Sequence, residues 1–294
     1  MTESDENLLD AARDWILREP AIQSAVLFGS SAHVELAGTG PDAWSDLDLH
    51  VITNQPTALE TVDWPAALPR QNYWGQAVRA ATGGVRKATV LFAQGQMDLV
   101  IVPLRTMRLA RWGWRAGLHR RHARLREALN EIHTCIHQGY RQLKGERAWG
   151  SFYAALKRDF PGVRLDDATV RSLAELALVE QHWVRQKLAR GELLAAQHRL
   201  HATLADINLR LLRELRLRRQ QALPSFGLGR HAEVLLTADE LAWVRVDARC
   251  SAEELSAATE QALRGLTALL RELLPDWPAP PLLAALTDGI KPAP

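Results

Sequence analysis

The sequence predicts an α+β protein: an N-terminal domain of strands and helices over residues 1–106, followed by an all-α domain over residues 107–294. Three observations predict it. Short apolar runs bounded by glycine or polar turn residues crowd the chain as far as Pro103. From about Arg105 to Leu274 the texture changes to Leu, Ala, Arg and Glu at helical spacing, with few β-branched residues. A length of 294 residues suits about two domains.

The elements follow in order. Leu8, Leu9, Ala12, Trp15 and Ile16 form one stripe of an amphipathic helix over about 5–19, which Pro20 stops. Ala25-Val26-Leu27-Phe28 reads as a buried strand meeting a Gly29-Ser30 turn. A loop rich in Gly, Thr and Pro (38–42) leads to a strand over Ser45–Thr53, and a further strand is expected near Tyr73–Val78. Runs at 88–92 and 97–103, joined by Ala93-Gln94-Gly95-Gln96, read as a hairpin because glycine takes positive φ without steric cost. In the helical part, breaks are expected at 145–150, at Pro161-Gly162, at 223–227 and from Pro275 onward.

Composition excludes whole classes. An apolar content of 47% is too high for a disordered chain, and two cysteines are too few for a disulfide scaffold. The formal charge of +2 argues against a surface devoted throughout to nucleic acid. The acidic start MTESDENLLD is unlike a signal peptide, and no run approaches the ~18 apolar residues of a membrane span. A reduced, soluble, cytoplasmic protein without a membrane partner is expected.

The chemistry concentrates in three aspartates. Asp46 and Asp48 are two apart in Ser-Asp-Leu-Asp-Leu-His-Val, so on a strand their carboxylates share a face while Leu47 and Leu49 point into the core. Two such carboxylates repel unless a cation lies between them, and an all-oxygen site suits Mg²⁺. Asp98 interrupts the apolar strand Met97-Asp-Leu-Val-Ile-Val, where a charge needs compensation; Met97, Leu99 and Ile101 take the opposite face. Upstream, the backbone N–H groups and hydroxyls of Gly29-Ser30-Ser31, where a short helix is expected to open, suit phosphate oxygens. Each feature alone is common. In this order, strand, Gly-Ser, loop, Asp-x-Asp and Asp-bearing hairpin describe a phosphate cradle facing a carboxylate set able to hold two divalent ions about 3.5–4 Å apart, the arrangement for in-line attack on a nucleoside triphosphate.

At Gly29, Ser30, Asp46 and Asp48 the chain resembles the DNA polymerase beta-type nucleotidyltransferase superfamily. Within it, the long insert before Asp46 and the run VLFAQGQMDLVIVP over 90–103 are similar to aminoglycoside 6-adenylyltransferases of the streptomycin type. The segment EQHWVRQKLARGELLAAQH over 180–198 resembles the helical second domain of such enzymes, where an Arg-Gly turn links two helices. The resemblance implies a nucleotidyltransferase domain built on a mixed sheet with flanking helices, then a helical substrate-binding domain. It implies Mg²⁺ with ATP as substrate, Asp46 and Asp48 as metal ligands, and Gly29, Ser30, Ser31 and Ser45 around the nucleotide. Asp98 would be a third ligand or the general base. A base from the helical domain would be Glu180 or Glu175, which are five residues apart and so not squarely on one helix face. AMP would pass to a hydroxyl of a small molecule, an aminoglycoside in this group; a toxin-type enzyme modifying RNA or protein is the alternative.

One feature departs from an enzyme for polycationic drugs. Arg105, Arg108, Arg111 and Arg115, then Arg120, Arg121, Arg124 and Arg126, and later Arg210, Arg213, Arg216, Arg218 and Arg219 are either a solvated face or a surface for an anionic acceptor or RNA, with Trp112 and Trp114 available to stack. Arg126 and His133 have a spacing found in helical ribonucleases, a pairing that chance readily supplies. His198 and His201 share a helix face without ligand partners. Trp15, Trp44, Trp64, Trp74, Trp149, Trp183 and Trp243 read most simply as packing, with Trp44 alternatively lining a pocket.

Overall fold

A computed structural model describes residues 7–32, 45–81, 84–162, 164–221, 232–278 and 280–287. The expected loop at 38–42, Trp44, the break at 223–227, His231 and the tail beyond 287 lie outside the described residues. The chain forms two compact units, Met1–Val163 and Arg164–Pro294.

In the first unit, α1 (Leu8–Arg18) precedes β1 (Ile22–Phe28) and β2 (Leu47–Thr53). Two short helices, α2 (Pro56–Glu60) and α3 (Trp64–Ala67), lead to β3 (Tyr73–Ala80), β4 (Arg86–Phe92) and β5 (Gly95–Pro103). Then come α4 (Leu104–Arg115), α5 (Ala123–Ile136), β6 (Arg141–Lys144) and α6 (Glu146–Asp159). The strands make one mixed sheet in the order β3-β4-β5-β2-β1-β6, with β2 and β5 parallel and their other neighbours antiparallel.

Period-two alternation gives this sheet two faces. Ala25, Leu27, Leu47, Leu49, Val51, Met97, Leu99 and Ile101 form a buried cluster with Leu8, Ala12, Trp15 and Ile16 of α1, the stripe expected from the sequence except that Leu9 is only half-buried. Asn7 caps this helix, its side-chain oxygen accepting from Leu9 N at 3.1 Å. The opposite face contributes Val26, Ile52 and Val102 to a second cluster with α4, α5 and α6, centred on Leu129, Trp149, Phe152 and Tyr153. This packing puts the unit boundary at Val163/Arg164, where the sequence reading divided the chain at 106/107. The three helices have an apolar stripe to bury, and the second face of the sheet is where they bury it.

β6 was not foreseen, because Arg141-Gln-Leu-Lys144 holds a single apolar residue and no alternation to read. It is held by polar contacts instead. Lys144 Nζ donates to the carbonyls of Ile16 at 2.9 Å and Glu19 at 2.7 Å, satisfying the open end of α1. Gly145 follows at φ +79, and a Cβ there would meet Gln23 O at 2.5 Å, so only glycine turns the chain from β6 into α6. The break expected over 145–150 is thus confined to Gly145, and Gly150 lies within the helix.

The second unit is helical among its described residues: α7 (Asp167–Ala189), α8 (Leu193–Arg199), a π-helical stretch Leu200–Ala205, α9 (Asp206–Arg218), α10 (Ala232–Leu235), α11 (Ala238–Val244), α12 (Ala252–Leu273) and α13 (Pro281–Thr287). The expected Arg-Gly turn joins α7 to α8, with Gly191 at φ +72. Leucines and alanines of α7, α9 and α12 fill the core, and Asn208 Nδ2 donates to Trp243 O at 2.8 Å and Ala262 O at 2.9 Å. The late arginines are mostly structural: Arg216 pairs with Glu240, Arg218 with Glu214 and Asp167, and Arg219 with Glu272. No helix of the described residues is long and apolar enough to cross a membrane.

Trp15, Trp64 and Trp149 are buried, as expected of packing residues, whereas Trp74 on edge strand β3 is 71% exposed. The Tyr153 hydroxyl lies 2.9 Å from His50 Nδ1, both side chains fully enclosed, and burial lowers the His50 pKa to about 4. A neutral imidazole on β2 is therefore hydrogen-bonded to a phenol on α6. Tyr153→Phe leaves the buried Nδ1 without its partner and is expected to cost about 1–3 kcal/mol, read as a lower urea midpoint at unchanged slope.

Candidate metal and nucleotide site

Asp46, Asp48 and Asp98 converge, each presenting a carboxylate oxygen within 4.8 Å of the others. Local folding explains the meeting. Leu47 and Leu49 are drawn into the sheet's apolar face, which turns the two flanking aspartates to the other side. Parallel pairing then sets Asp48 opposite Asp98 in register, with Phe28 opposite Asp48 on the neighbouring strand. Asp46 and Asp48 are half-buried, and Asp98 is only 3% exposed.

Like charges so close need a counter-charge, and the chain supplies one. Lys87 Nζ lies 2.6 Å from Asp98 Oδ2. Lys87 precedes Thr89, the residue facing Asp98 across β4 and β5, by two positions and so shares its face. The other oxygen, Asp98 Oδ1, is buried with no hydrogen-bond partner among the described residues. Among the described residues one ammonium faces the three converging carboxylates. A hard divalent cation fits this all-oxygen site and would take the orphaned Asp98 oxygen, at which leaving the acceptor unpaired is costly. Lys87 was missed from the sequence; its signal was a cation in the apolar strand beside an equally anomalous aspartate.

Gly29 closes the site on the β1 side. It sits at φ +71, and a Cβ at that position would lie 2.5 Å from Asp48 Oδ2. The backbone therefore runs against the carboxylate as no residue with a side chain could. A single 3-10 turn, Ser30–Ala32, follows, where a short helix was expected. The Ser30 hydroxyl is buried and has no partner among the described residues. Ser31 Oγ donates to Asp46 O at 2.8 Å, so this hydroxyl fixes the metal-site loop and its proton is committed there. Ser45 is half-buried just ahead of the aspartates.

α5 borders the same face. Burial drives the Cys135 thiol up to about 12, with Asp48 and Glu131 adding to the rise, so this thiol is inert while Cys250 is exposed. Glu131 is itself raised by burial and by Glu127. The helical-domain candidates belong to the second unit: Glu175 is exposed on α7, and Glu180 is half-buried with its carboxylate 3.2 Å from Arg199 Nε. His133 packs on Phe160 and His137 while Arg126 is exposed, and His198 and His201 join no group of potential ligands among the described residues. Trp114 meets His119 in a tilted ring contact at 4.5 Å and packs partly buried against the core, whereas Trp112 is 62% exposed.

No protein-family model and no curated protein sequence matches the chain. Among solved structures it is similar to an aminoglycoside 6-adenyltransferase from Bacillus subtilis, at 12% identity and a TM-score of 0.40, over 98% of this chain and 97% of that one. It is also similar to a nucleotidyltransferase-like protein from Exiguobacterium sibiricum 255-15, at 12% identity and a TM-score of 0.33, over 92% of this chain and 77% of that one. Likeness at this distance assigns no activity; the geometry of the aspartates has to carry that.

Lys87→Met removes the ion-pair partner of Asp98 found among the described residues. Its melting temperature in EDTA is expected to fall below wild type, and saturating Mn²⁺ is expected to raise it by more than it raises wild type, because the ion replaces the lost ammonium.

Proposed function

We propose that the protein is a divalent-metal-dependent nucleotidyltransferase that moves AMP from ATP to a hydroxyl of a small-molecule acceptor. The observation that carries the reading is the buried Asp98 Oδ1, without a partner among the described residues, converging with Asp46 and Asp48 beside the Gly29 turn. Asp46, Asp48 and Asp98 would hold Mg²⁺, which when bound neutralises phosphate oxygens and favours in-line displacement of pyrophosphate. The chain's own residues do the positioning. Gly29 lets the backbone approach, and the Ser30 hydroxyl has an open hydrogen-bonding capacity to offer a phosphate oxygen. Asp98 takes the ligand role over the base role, because Lys87 holds one of its oxygens and the other is enclosed. Glu180 and Glu175 are the helical-domain proton acceptors that the sequence resemblance implies, Glu180 half-buried and ion-paired with Arg199, Glu175 exposed.

The resemblance read in the sequence makes aminoglycosides the first acceptors to offer. A second reading keeps the chemistry and makes RNA or protein the acceptor; the arginines between Arg105 and Arg126, with no acidic residue among them, favour it.

Incubating the protein with Mg²⁺, each of the four ribonucleoside triphosphates labelled at the α-phosphate, and streptomycin, other aminoglycosides or a cell lysate tests both readings. Acceptor-dependent pyrophosphate release with label on the drug is expected, strongest with ATP. Label moving to macromolecules would select the second reading, and no transfer to any acceptor would overturn both. Asp46→Asn is expected to lower turnover by about 10³-fold or more with an unchanged circular dichroism spectrum. Gly29→Ala, whose added carbon meets the Asp48 carboxylate, is expected to weaken Mn²⁺ binding at least tenfold in a calorimetric titration.

A further inference from the structure

α4 presents to solvent a face that the fold does not explain. Its buried side is Met107, Ala110 and Gly113, and Gly113 lies so close to α5 that a Cβ there would meet Leu125 Cδ2 at 2.5 Å. At 3.6 residues per turn, Arg105, Arg108, Leu109, Trp112 and Arg115 fall within about 120° of the opposite side. All five are exposed, Leu109 at 68% and Trp112 at 62%. None of the three arginines has an ion-pair partner among the described residues. Arg111, turned toward the core, differs: it donates to Ala148 O at 2.9 Å and lies over the Trp149 ring. Burial lowers its pKa, and the neighbouring charges of Arg115 and Arg108 lower it further. Beyond the helix, Arg120, Arg121, Arg124 and Arg126 are also exposed, and from Arg105 to Arg126 there are eight arginines and no Asp or Glu.

We propose that this face of α4 binds single-stranded RNA, with Trp112 stacking on a base while Arg105, Arg108 and Arg115 engage the phosphates on either side. Two physical arguments select that partner. Uncompensated arginines over a helix length of about 15 Å call for a polyanion, since guanidinium groups pair bidentately with phosphate. An indole at the centre of the stripe, 62% exposed, offers a stacking surface that a simple polyanion would leave unused. Leu109 and Trp112 are the stripe's only apolar side chains, too few for the continuous apolar face that a membrane-surface helix or a packed protein interface requires.

The test is fluorescence anisotropy of a labelled 20-nucleotide single-stranded RNA with the full chain, without nucleotide or metal, so that its failure leaves the transferase reading standing. Saturable binding that weakens at least tenfold between 50 and 200 mM NaCl is expected. Trp112→Ala is expected to weaken it about 5- to 100-fold, and Arg105→Glu with Arg108→Glu to weaken it further while flattening the salt dependence. Heparin and anionic vesicles serve as polyanions without bases. Failure of RNA to saturate, an unchanged affinity in Trp112→Ala, or the same Trp112 dependence with heparin or vesicles would overturn the proposal. All the substituted side chains are exposed, so unchanged circular dichroism and melting will show that each variant is folded.

Discussion

Like charges placed opposite one another on paired strands push a sheet apart, and here β2 and β5 set Asp48 directly against Asp98 with Asp46 alongside. The register that causes this is not free to change. Leu47, Leu49, Met97 and Leu99 lie in the apolar face packed on α1, and a slip of one residue would move all of them to the wrong side. The hydrophobic core thus enforces an electrostatic conflict at one end of the sheet. Much of what is unusual in this unit, including the lysine reaching across from β4, answers that conflict.

The answer is incomplete in a way that points to function. Lys87 satisfies one oxygen of Asp98, and the other is buried without a partner among the described residues. A fold selected for stability alone has simpler solutions, such as an amide or a valine at position 98. Close by, the Gly29 backbone runs against the Asp48 carboxylate, and the buried Ser30 hydroxyl has hydrogen-bonding capacity that the described residues do not use. Deeper along the same face the polarity ends: His50 is held neutral and bonded to Tyr153, and Val26, Ile52 and Val102 continue into the core under α4 to α6. One sheet face therefore runs from a charged end to a dry interior, with the chemistry confined to the charged end.

Much of this was legible in the sequence. Short apolar runs between turn residues pointed to β1, β4 and β5, alternation pointed to β2, and the two-residue spacing of Asp46 and Asp48 pointed to their common side, because all depend on local backbone geometry. What depended on distant partners was hidden. β6 has no apolar signature and is fixed by Lys144 reaching the end of α1. The unit boundary at Val163/Arg164 follows from which core α4 to α6 share, which helical periodicity cannot report. The arginines read alike along the chain, yet Arg216, Arg218 and Arg219 are tied to Glu240, Asp167 and Glu272, acids far away in sequence, while the arginines of α4 have no ion-pair partner among the described residues.

The claim at the centre is that these three aspartates form a divalent-cation site. Mn²⁺ titration by electron paramagnetic resonance, comparing wild type with Asp98→Asn, measures it most directly. Saturable binding by wild type that is weakened at least tenfold by removing the Asp98 charge is the predicted result. Absence of saturable binding, or equal affinity in the two proteins, would contradict the account.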